Sequence, residues 1–245
     1  PQDVWGDIPV VSIWAPEMHL YKGRYYLFLT FDTRNKFQEQ WRNWLPRVTR
    51  GSLVLVSDSP TGPFNAFQKH STMPVDMMTL DGTLWVEDTI PYMVYCHEWV
   101  QISDGAVGFV QLKPDLSETA GEPKNLFRGS QAPWGQISDT YGCYVTDGPF
   151  LYKGKTGKLY MIWTSGGKTG NALGIAISDS GRLAGPWRQQ EEPIYKDNGG
   201  HGMLFKAFNG KLMMILHSPY NGNTRPHLYE MEDTGETLRI IKEII

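Results

Sequence analysis

Carboxylates that begin or end short apolar strands are the residues of this sequence best suited to chemistry. Asp81 and Asp147 each precede a glycine at the start of a strand-like run, and Glu98 closes another such run. Two carboxyl groups that flank a glycosidic bond can hydrolyse it, one as an acid and the other as the base that activates water. Asp-Gly is also good turn chemistry, because Asp caps its own turn and Gly accepts unusual backbone angles. A functional interpretation of either aspartate therefore needs support from its position.

An internal repeat gives that support. Four segments share a polar or turn residue, an apolar strand, a glycine-bearing turn and a second apolar strand: Pro16–Phe31, Asp81–Glu98, Asp147–Ser165 and His201–Ser218. A third strand-like run follows each of them: Ser52–Ser57, Ala106–Leu112, Ala172–Ser178 and Pro226–Met231. Repeats of three or four antiparallel strands are typical of β-propeller blades. A β-sandwich, in contrast, does not predict that the same segment recurs along the chain. The sequence therefore predicts an all-β fold, a β-propeller with about four blades in a single domain over residues 1–245.

The repeat also predicts where the polar residues gather. In a propeller the first strand of a blade starts at the face to which the second strand returns, so these ends surround the mouth of the central channel. Asp81, Asp147 and His201 occupy equivalent starts in this alignment, and a turn role alone would not explain His201. We therefore interpret the set as functional, because a pocket with a few convergent polar groups among aromatic residues is typical of a binding site.

Aromatic residues form 13% of the chain, and flat aromatic platforms stack on sugar rings. The candidate platforms are Trp14, Trp99, Trp134 and Trp163, and for each of them a place partly in the core is the alternative. Glu17, His201 and Arg225 are further candidates for substrate binding. The segment Lys36–Leu45 is interpreted either as a helical turn or as a loop insertion.

Composition excludes several classes of protein. The formal net charge of −3 argues against nucleic-acid binding, because no basic face could neutralise many phosphates. No apolar run approaches the roughly 18 residues that a transmembrane helix needs, so we expect no membrane partner. Cys96 and Cys143 are too few for a disulfide scaffold, and they either pair with each other or are buried thiols.

Several motifs together resemble glycoside hydrolase family 43. Ile13–His19 with Gly23–Leu27 resembles its "WAPE" signature, and Leu80–Thr83, Thr146–Pro149 and Gly199–Phe205 fit in order and spacing. The resemblance implies a five-bladed propeller and an inverting, exo-acting glycosidase that releases arabinofuranosyl or xylosyl residues from plant oligosaccharides or polysaccharides. It implies an aspartate base, an aspartate that tunes the acid, and a glutamate acid. It requires no cofactor, and it suggests a structural calcium ion near His201. Such a substrate implies a secreted or periplasmic protein.

This sequence departs from the family pattern in two places. The base of the family lies in a blade before the "WAPE" motif, so the domain is expected to be incomplete at its N-terminus, with Leu238–Ile245 as a strand that closes the ring. The acid position holds Asp147 instead of a longer glutamate, so Asp147 and Glu98 remain alternatives for the acid, and Asp81 is predicted to tune it and to anchor the substrate. The alternative function is a carbohydrate-binding, catalytically silent propeller. For His201 a structural role, a substrate contact and a position next to calcium stay open.

Overall fold

The computed structural model describes residues 5–41 and 44–245, which form four four-stranded antiparallel sheets. The chain divides into two compact units: unit 1 holds Pro1–Ser103 and Gly108–Asn125, and unit 2 holds Asp104–Val107 and Leu126–Ile245. In each sheet the strands follow one another in chain order, which is the arrangement of a propeller blade. No helix among the described residues has the length and apolar character needed to cross a membrane.

Unit 1 contains the first two sheets, apart from the residues at the ends of two strands that fall in unit 2. Its strands are β1 (Val10–Tyr21), β2 (Arg24–Lys36), β3 (Val48–Ser57), β4 (Asn65–Ala66), β5 (Thr79–Glu87), β6 (Ile90–His97), β7 (Ala106–Gln111) and β8 (Lys124–Arg128). Two-residue turns with positive φ at both positions, Lys22-Gly23 and Asp88-Thr89, join the first hairpin of each sheet. Such turns match the right-handed twist of the strands that they connect. Alternate side chains such as Phe28, Val54 and Tyr95 then form a buried core.

Unit 2 contains the third and fourth sheets. Its strands are β9 (Asp147–Lys153), β10 (Leu159–Gly167), β11 (Gly170–Ser178), β12 (Trp187–Gln189), β13 (Gly200–Lys206), β14 (Leu212–Ser218), β15 (Arg225–Asp233) and β16 (Leu238–Glu243). Tyr160, Ile162, Leu173, Met214 and Leu216 belong to its buried core. The repeat therefore predicted all four sheets, including a third strand in each.

Every first strand carries a β-bulge at the same place. Two residues of that strand face one residue of the second strand, and the first of the two has a positive φ: Ala15 (45°), Asp81 (53°), Gly148 (49°) and His201 (49°). Asp81 and His201 are therefore equivalent, as predicted, but Asp147 lies one residue earlier, opposite Thr164. Glycine has no Cβ to oppose a positive φ, so Gly148 takes the bulge position in the third sheet.

Within each unit a buried threonine supports one of these bulges. A bulge removes a backbone N–H from the regular ladder, and that N–H needs another acceptor. Thr30 on β2 accepts the N–H of Asp81 at 2.9 Å, and Thr164 on β10 accepts the N–H of His201 at 2.8 Å. Both threonines are fully buried. The backbone at Asp81 and at His201 is therefore fixed from the neighbouring sheet of the same unit.

Two predictions about single segments are now decided. β16 pairs with β15 as the outermost strand of the fourth sheet, so the prediction that Leu238–Ile245 closes the ring onto another blade was wrong. Between Lys36 and Leu45 the described residues form no helix, and the loop interpretation is confirmed. Arg42 and Asn43 lie outside the described residues. Cys96 and Cys143 are buried thiols.

Candidate active site

Asp81 is held rigidly at the start of β5. Its residue is 8% exposed, and its N–H is bound by Thr30 as described above. A Cβ on Gly82 would lie 3.0 Å from the sulfur of Met93 and 3.2 Å from Cβ of Ser52, so a larger residue there would have to displace its neighbours. Aspartate is one of the few residue types that tolerate a positive φ, and such backbone conformations cluster at functional sites. The side chain of Asp81 is thus attached to a backbone position that cannot easily shift. Such a fixed position suits a residue that anchors a substrate.

Glu98 lies between β6 and the single helical turn α1 (Trp99–Ile102) and is 4% exposed. Its Oε1 accepts a short hydrogen bond from Nη1 of Arg50, and Nε of Arg50 donates to Oδ1 of Asp32 at 2.8 Å. The same guanidinium lies over the ring of Trp14, 4.4 Å from its centroid.

The electrostatics of this cluster bear on the role of Glu98. Burial lowers the pKa of Arg50, but the charges of Glu98 and Asp32 and their hydrogen bonds outweigh it, so that pKa lies above its ordinary value. A buried guanidinium favours the ionised form of the carboxylate that it binds. An ionised carboxylate cannot donate a proton, so this arrangement counts against Glu98 as the general acid.

Asp147 lies on β9 among groups of unit 2. The hydroxyl of Tyr220 donates a short hydrogen bond to Oδ2 of Asp147, and Nδ1 of His201 lies 3.4 Å from Oδ1. A Cβ at position 148 would lie 2.7 Å from Cγ of His201, so only glycine there leaves room for the imidazole beside Asp147. The Asp-Gly dipeptide therefore serves both the bulge and the packing of the histidine.

His201 belongs to a small cluster of rings on unit 2. The centroid of its ring lies 6.3 Å from that of His217, which in turn lies 4.8 Å from the ring of Tyr220. Burial lowers the pKa of His217, the nearby His201 lowers it further, and Asp147 opposes the shift, so the pKa stays below its ordinary value. The imidazole of His217 is therefore mainly neutral near pH 7.

The predicted calcium ion can be compared with the groups beside His201. Calcium takes about six to eight oxygen ligands, whereas the imidazole of His201 offers nitrogen. Within unit 2, Oδ1 of Asp147 lies 3.4 Å from Nδ1 of His201, and Oδ2 accepts a hydrogen bond from Tyr220. The calcium ion near His201 stays a prediction.

The predicted substrate-binding residues have different surroundings. Trp14 and Trp99 are half-buried, and the ring of Trp99 meets that of Trp44 edge-on at 5.5 Å. Glu17 accepts a hydrogen bond from Thr83 at 2.6 Å, so it joins β1 to β5. Arg225 is exposed at the start of β15.

Two of the predicted stacking platforms belong to the core instead. Trp163 is 0% and Trp134 is 5% exposed, and their ring centroids are 4.9 Å apart. For these two residues the core alternative is confirmed and the stacking role was wrong, because strong β propensity and an aromatic core account for them.

Sequence reasoning missed Arg50 and Tyr220. Arg50 lies directly opposite Asp32 in the β2–β3 hairpin, so pairing the two strands in the sequence could have indicated it. Tyr220 lies in the connection after β14, 73 residues from Asp147, and no local pattern marks it.

Comparison with known proteins extends these observations. The sequence profile of "Glycosyl hydrolases family 43" matches residues 2–240. A solved structure described as an endo-arabinase from Bacteroides thetaiotaomicron is 38% identical, with a TM-score of 0.82 over 95% of this chain and 78% of that one. A structure described as an endo-1,4-β-xylanase from the same organism is 21% identical, with a TM-score of 0.75 over 98% of this chain and 78% of that one, and it shows the fold alone.

A curated relative from Streptomyces avermitilis is an extracellular exo-α-(1→5)-L-arabinofuranosidase. It is 22% identical over 223 residues, which are 85% of this chain and 43% of the relative, so the chain spans less than half of that protein. The likeness to solved structures confirms the β-propeller fold class, and the profile match covers nearly every residue. The chain belongs to glycosyl hydrolases family 43.

Proposed function

We propose that the protein is an inverting, exo-acting glycosidase that removes arabinofuranosyl or xylosyl residues from plant oligosaccharides and polysaccharides outside the cell. The observation that carries the proposal is the family match over residues 2–240, with Asp81 and Asp147 at the starts of β5 and β9. Two relatives are named for arabinose-containing substrates, and the curated one is extracellular. Arabinofuranosyl residues are therefore the first substrate to test.

The contacts within each unit favour a division of roles. Asp147 acts as the general acid, because Glu98 is held by Arg50. Tyr220 binds Oδ2 of Asp147, which leaves Oδ1, beside His201, to deliver the proton to the leaving oxygen. Asp81, on its fixed bulge, anchors sugar hydroxyls. In an inverting reaction a second carboxylate activates water on the opposite face of the sugar.

The test is turnover of aryl α-L-arabinofuranosides and aryl β-xylosides by the wild type and by Asp81→Asn, Glu98→Gln and Asp147→Asn. A good leaving group needs little protonation, so an aryl substrate with an acidic phenol should restore the rate of Asp147→Asn but not that of Asp81→Asn. Glu191→Gln, an exposed conservative change on unit 2, is the control and should turn over like the wild type. No turnover of any arabinoside or xyloside by the wild type would reject a glycosidase.

Two further measurements check the finer parts of the proposal. Proton NMR of the first product identifies its anomer, and an inverted configuration is expected. Digestion of a linear arabino-oligosaccharide should release only monosaccharide at early times. Longer fragments at early times would mean endo action and would contradict the exo part of the proposal.

A specific observation favours a second function, that of a carbohydrate-binding propeller without catalysis. Both oxygens of Asp147 have neighbours within unit 2, Tyr220 and His201, as a carboxylate with a structural role would. Binding of arabino-oligosaccharide measured by calorimetry, together with no hydrolysis, would support this function over the glycosidase.

A further inference from the structure

Charged side chains surround a pocket on unit 1, which shares Asp32 and Arg50 with the cluster around Glu98. The pocket has a volume of 330 Å³ and lies between the end of β2, the β2–β3 connection and α1. Ligand pockets generally measure about 300–1,000 Å³, so this one has the size for a small sugar unit. Its charged lining residues are Asp32, Arg34, Lys36 and Arg50, and the exposed residues Leu45 and Pro46 form apolar walls.

The end of β2 is bulged, and the bulge is held by hydrogen bonds. Three residues of β2, Thr33–Asn35, stand opposite the single residue Thr49 of β3. Thr33 Oγ1 donates to the carbonyl of Thr49 at 2.7 Å, and Asn35 Nδ2 donates to Oγ1 of Thr49 at 2.9 Å. A fixed bulge redirects the side chains that it carries. Arg34, in the middle of the bulge, is thereby held at the pocket.

The pocket carries an excess of positive charge. Arg50 is engaged by Asp32, which also lines the pocket, and by Glu98. Arg34 and Lys36 are exposed, and within residues 5–41 and 44–245 neither makes an ion pair. Two cations at one opening therefore face solvent without a counter-charge, and an anionic ligand would supply it.

The apolar walls and the positive charge together restrict the chemical class of the ligand. A guanidinium offers a planar fork that matches a carboxylate with two hydrogen bonds. The exposed side chains of Leu45 and Pro46 suit the apolar face of a sugar ring. A neutral pentose would leave the two cations unused, and a small inorganic anion would leave the apolar walls unused.

We propose that this pocket is a subsite for a hexuronate unit, so that the protein acts on carboxylate-bearing plant polysaccharide. The part of the inference that concerns action on polysaccharide rests on the proposed function. The binding of a hexuronate does not require catalysis. Arg34 and Lys36 bind the carboxylate, and Leu45 and Pro46 contact the ring.

Calorimetric titration of the whole chain with digalacturonate, and with the neutral disaccharide galactobiose, tests the proposal. The acidic disaccharide should bind at least about tenfold more tightly, because a charge-assisted hydrogen bond contributes about 1.5–3 kcal/mol, which is tenfold or more in affinity. Arg34→Ala with Lys36→Ala should remove that preference. Lys206→Ala, an exposed cation on unit 2, is the matched control and should keep it. Circular dichroism checks that each variant is folded.

Three outcomes would overturn the proposal. One is equal affinity for the acidic and the neutral disaccharide. Another is an unchanged preference in the double variant. The third is competition by sulfate as effective as that by digalacturonate, since this would indicate a general anion site. If the wild type binds digalacturonate but turns over no arabinoside, the proposed function alone is rejected. If it turns over arabinoside but does not prefer digalacturonate, the subsite alone is rejected.

Discussion

Arg50→Met is expected to destabilise the protein strongly. Arg50 joins Asp32 and Glu98 through a guanidinium whose side chain is 13% exposed, and the side chain of Glu98 is 5% exposed. Removing one partner of a buried ion pair leaves an uncompensated charge and costs about 3–5 kcal/mol. For a chain of this size each kcal/mol shifts thermal unfolding by about 2–4 °C. A fall of roughly 10 °C in the unfolding midpoint is expected.

The assay is thermal and urea unfolding followed by circular dichroism at pH 7. Arg24→Met is the matched control, since Arg24 makes the same kind of ion pair with Asp58 at 2.7 Å, but with 45% and 84% of the two side chains exposed. Solvent screens such a pair, so the control should be indistinguishable from the wild type.

A compensating variant separates charge from packing. Adding Asp32→Asn and Glu98→Gln to Arg50→Met removes the unpaired charges, and most of the lost stability should return. The reasoning is refuted if Arg50→Met unfolds within about 2 °C of the wild type, which is less than about 1 kcal/mol. It is also refuted if the triple variant is no more stable than Arg50→Met.

Three smaller predictions concern unit 2. Thr164→Val should cost about 1–3 kcal/mol in urea unfolding, because the N–H of His201 loses its acceptor; an unchanged midpoint would contradict the role given to Thr164. Burial keeps the pKa of His217 below the ordinary 6.5, so the unfolded chain takes up a proton first as the pH falls. The wild type should therefore lose stability below about pH 6.5, and His217→Gln should lose less, whereas parallel curves would disprove the shift. Tyr220→Phe should cost about 0.5–1.5 kcal/mol at pH 7, because Oδ2 of Asp147 loses a hydrogen-bond donor, and full stability of this variant would contradict that hydrogen bond.

The sequence predicted the sheets well because the signal for them is local. Apolar strands of period two, separated by glycine-bearing turns, recur four times, and each recurrence is a sheet in the structure. Leu238–Ile245 carries the same local signal, so its strand was predicted correctly. Its partner was not, because pairing depends on β15, which no property of the segment itself identifies.

The side chains of the two candidate acids show the same limit of prediction from local sequence. Asp147 and Glu98 looked equivalent as carboxylates at strand ends. The difference between them comes from Arg50, 48 residues before Glu98, and from Tyr220, 73 residues after Asp147. Partners at such separations are set by the packing of strands and leave no mark near the carboxylate in the sequence.

The two Asp-Gly dipeptides differ in their backbone positions in the same way. At Asp81-Gly82 the aspartate has the positive φ and occupies the bulge, whereas at Asp147-Gly148 the glycine does. Identical dipeptides therefore occupy positions that differ by one residue relative to the bulge. What decides the register is the partner strand, where Cys96 faces Leu80 and Thr164 faces Asp147. Turn chemistry and function are thus not alternatives for these aspartates, since the same bulge that requires a residue tolerant of positive φ also fixes where each carboxylate points.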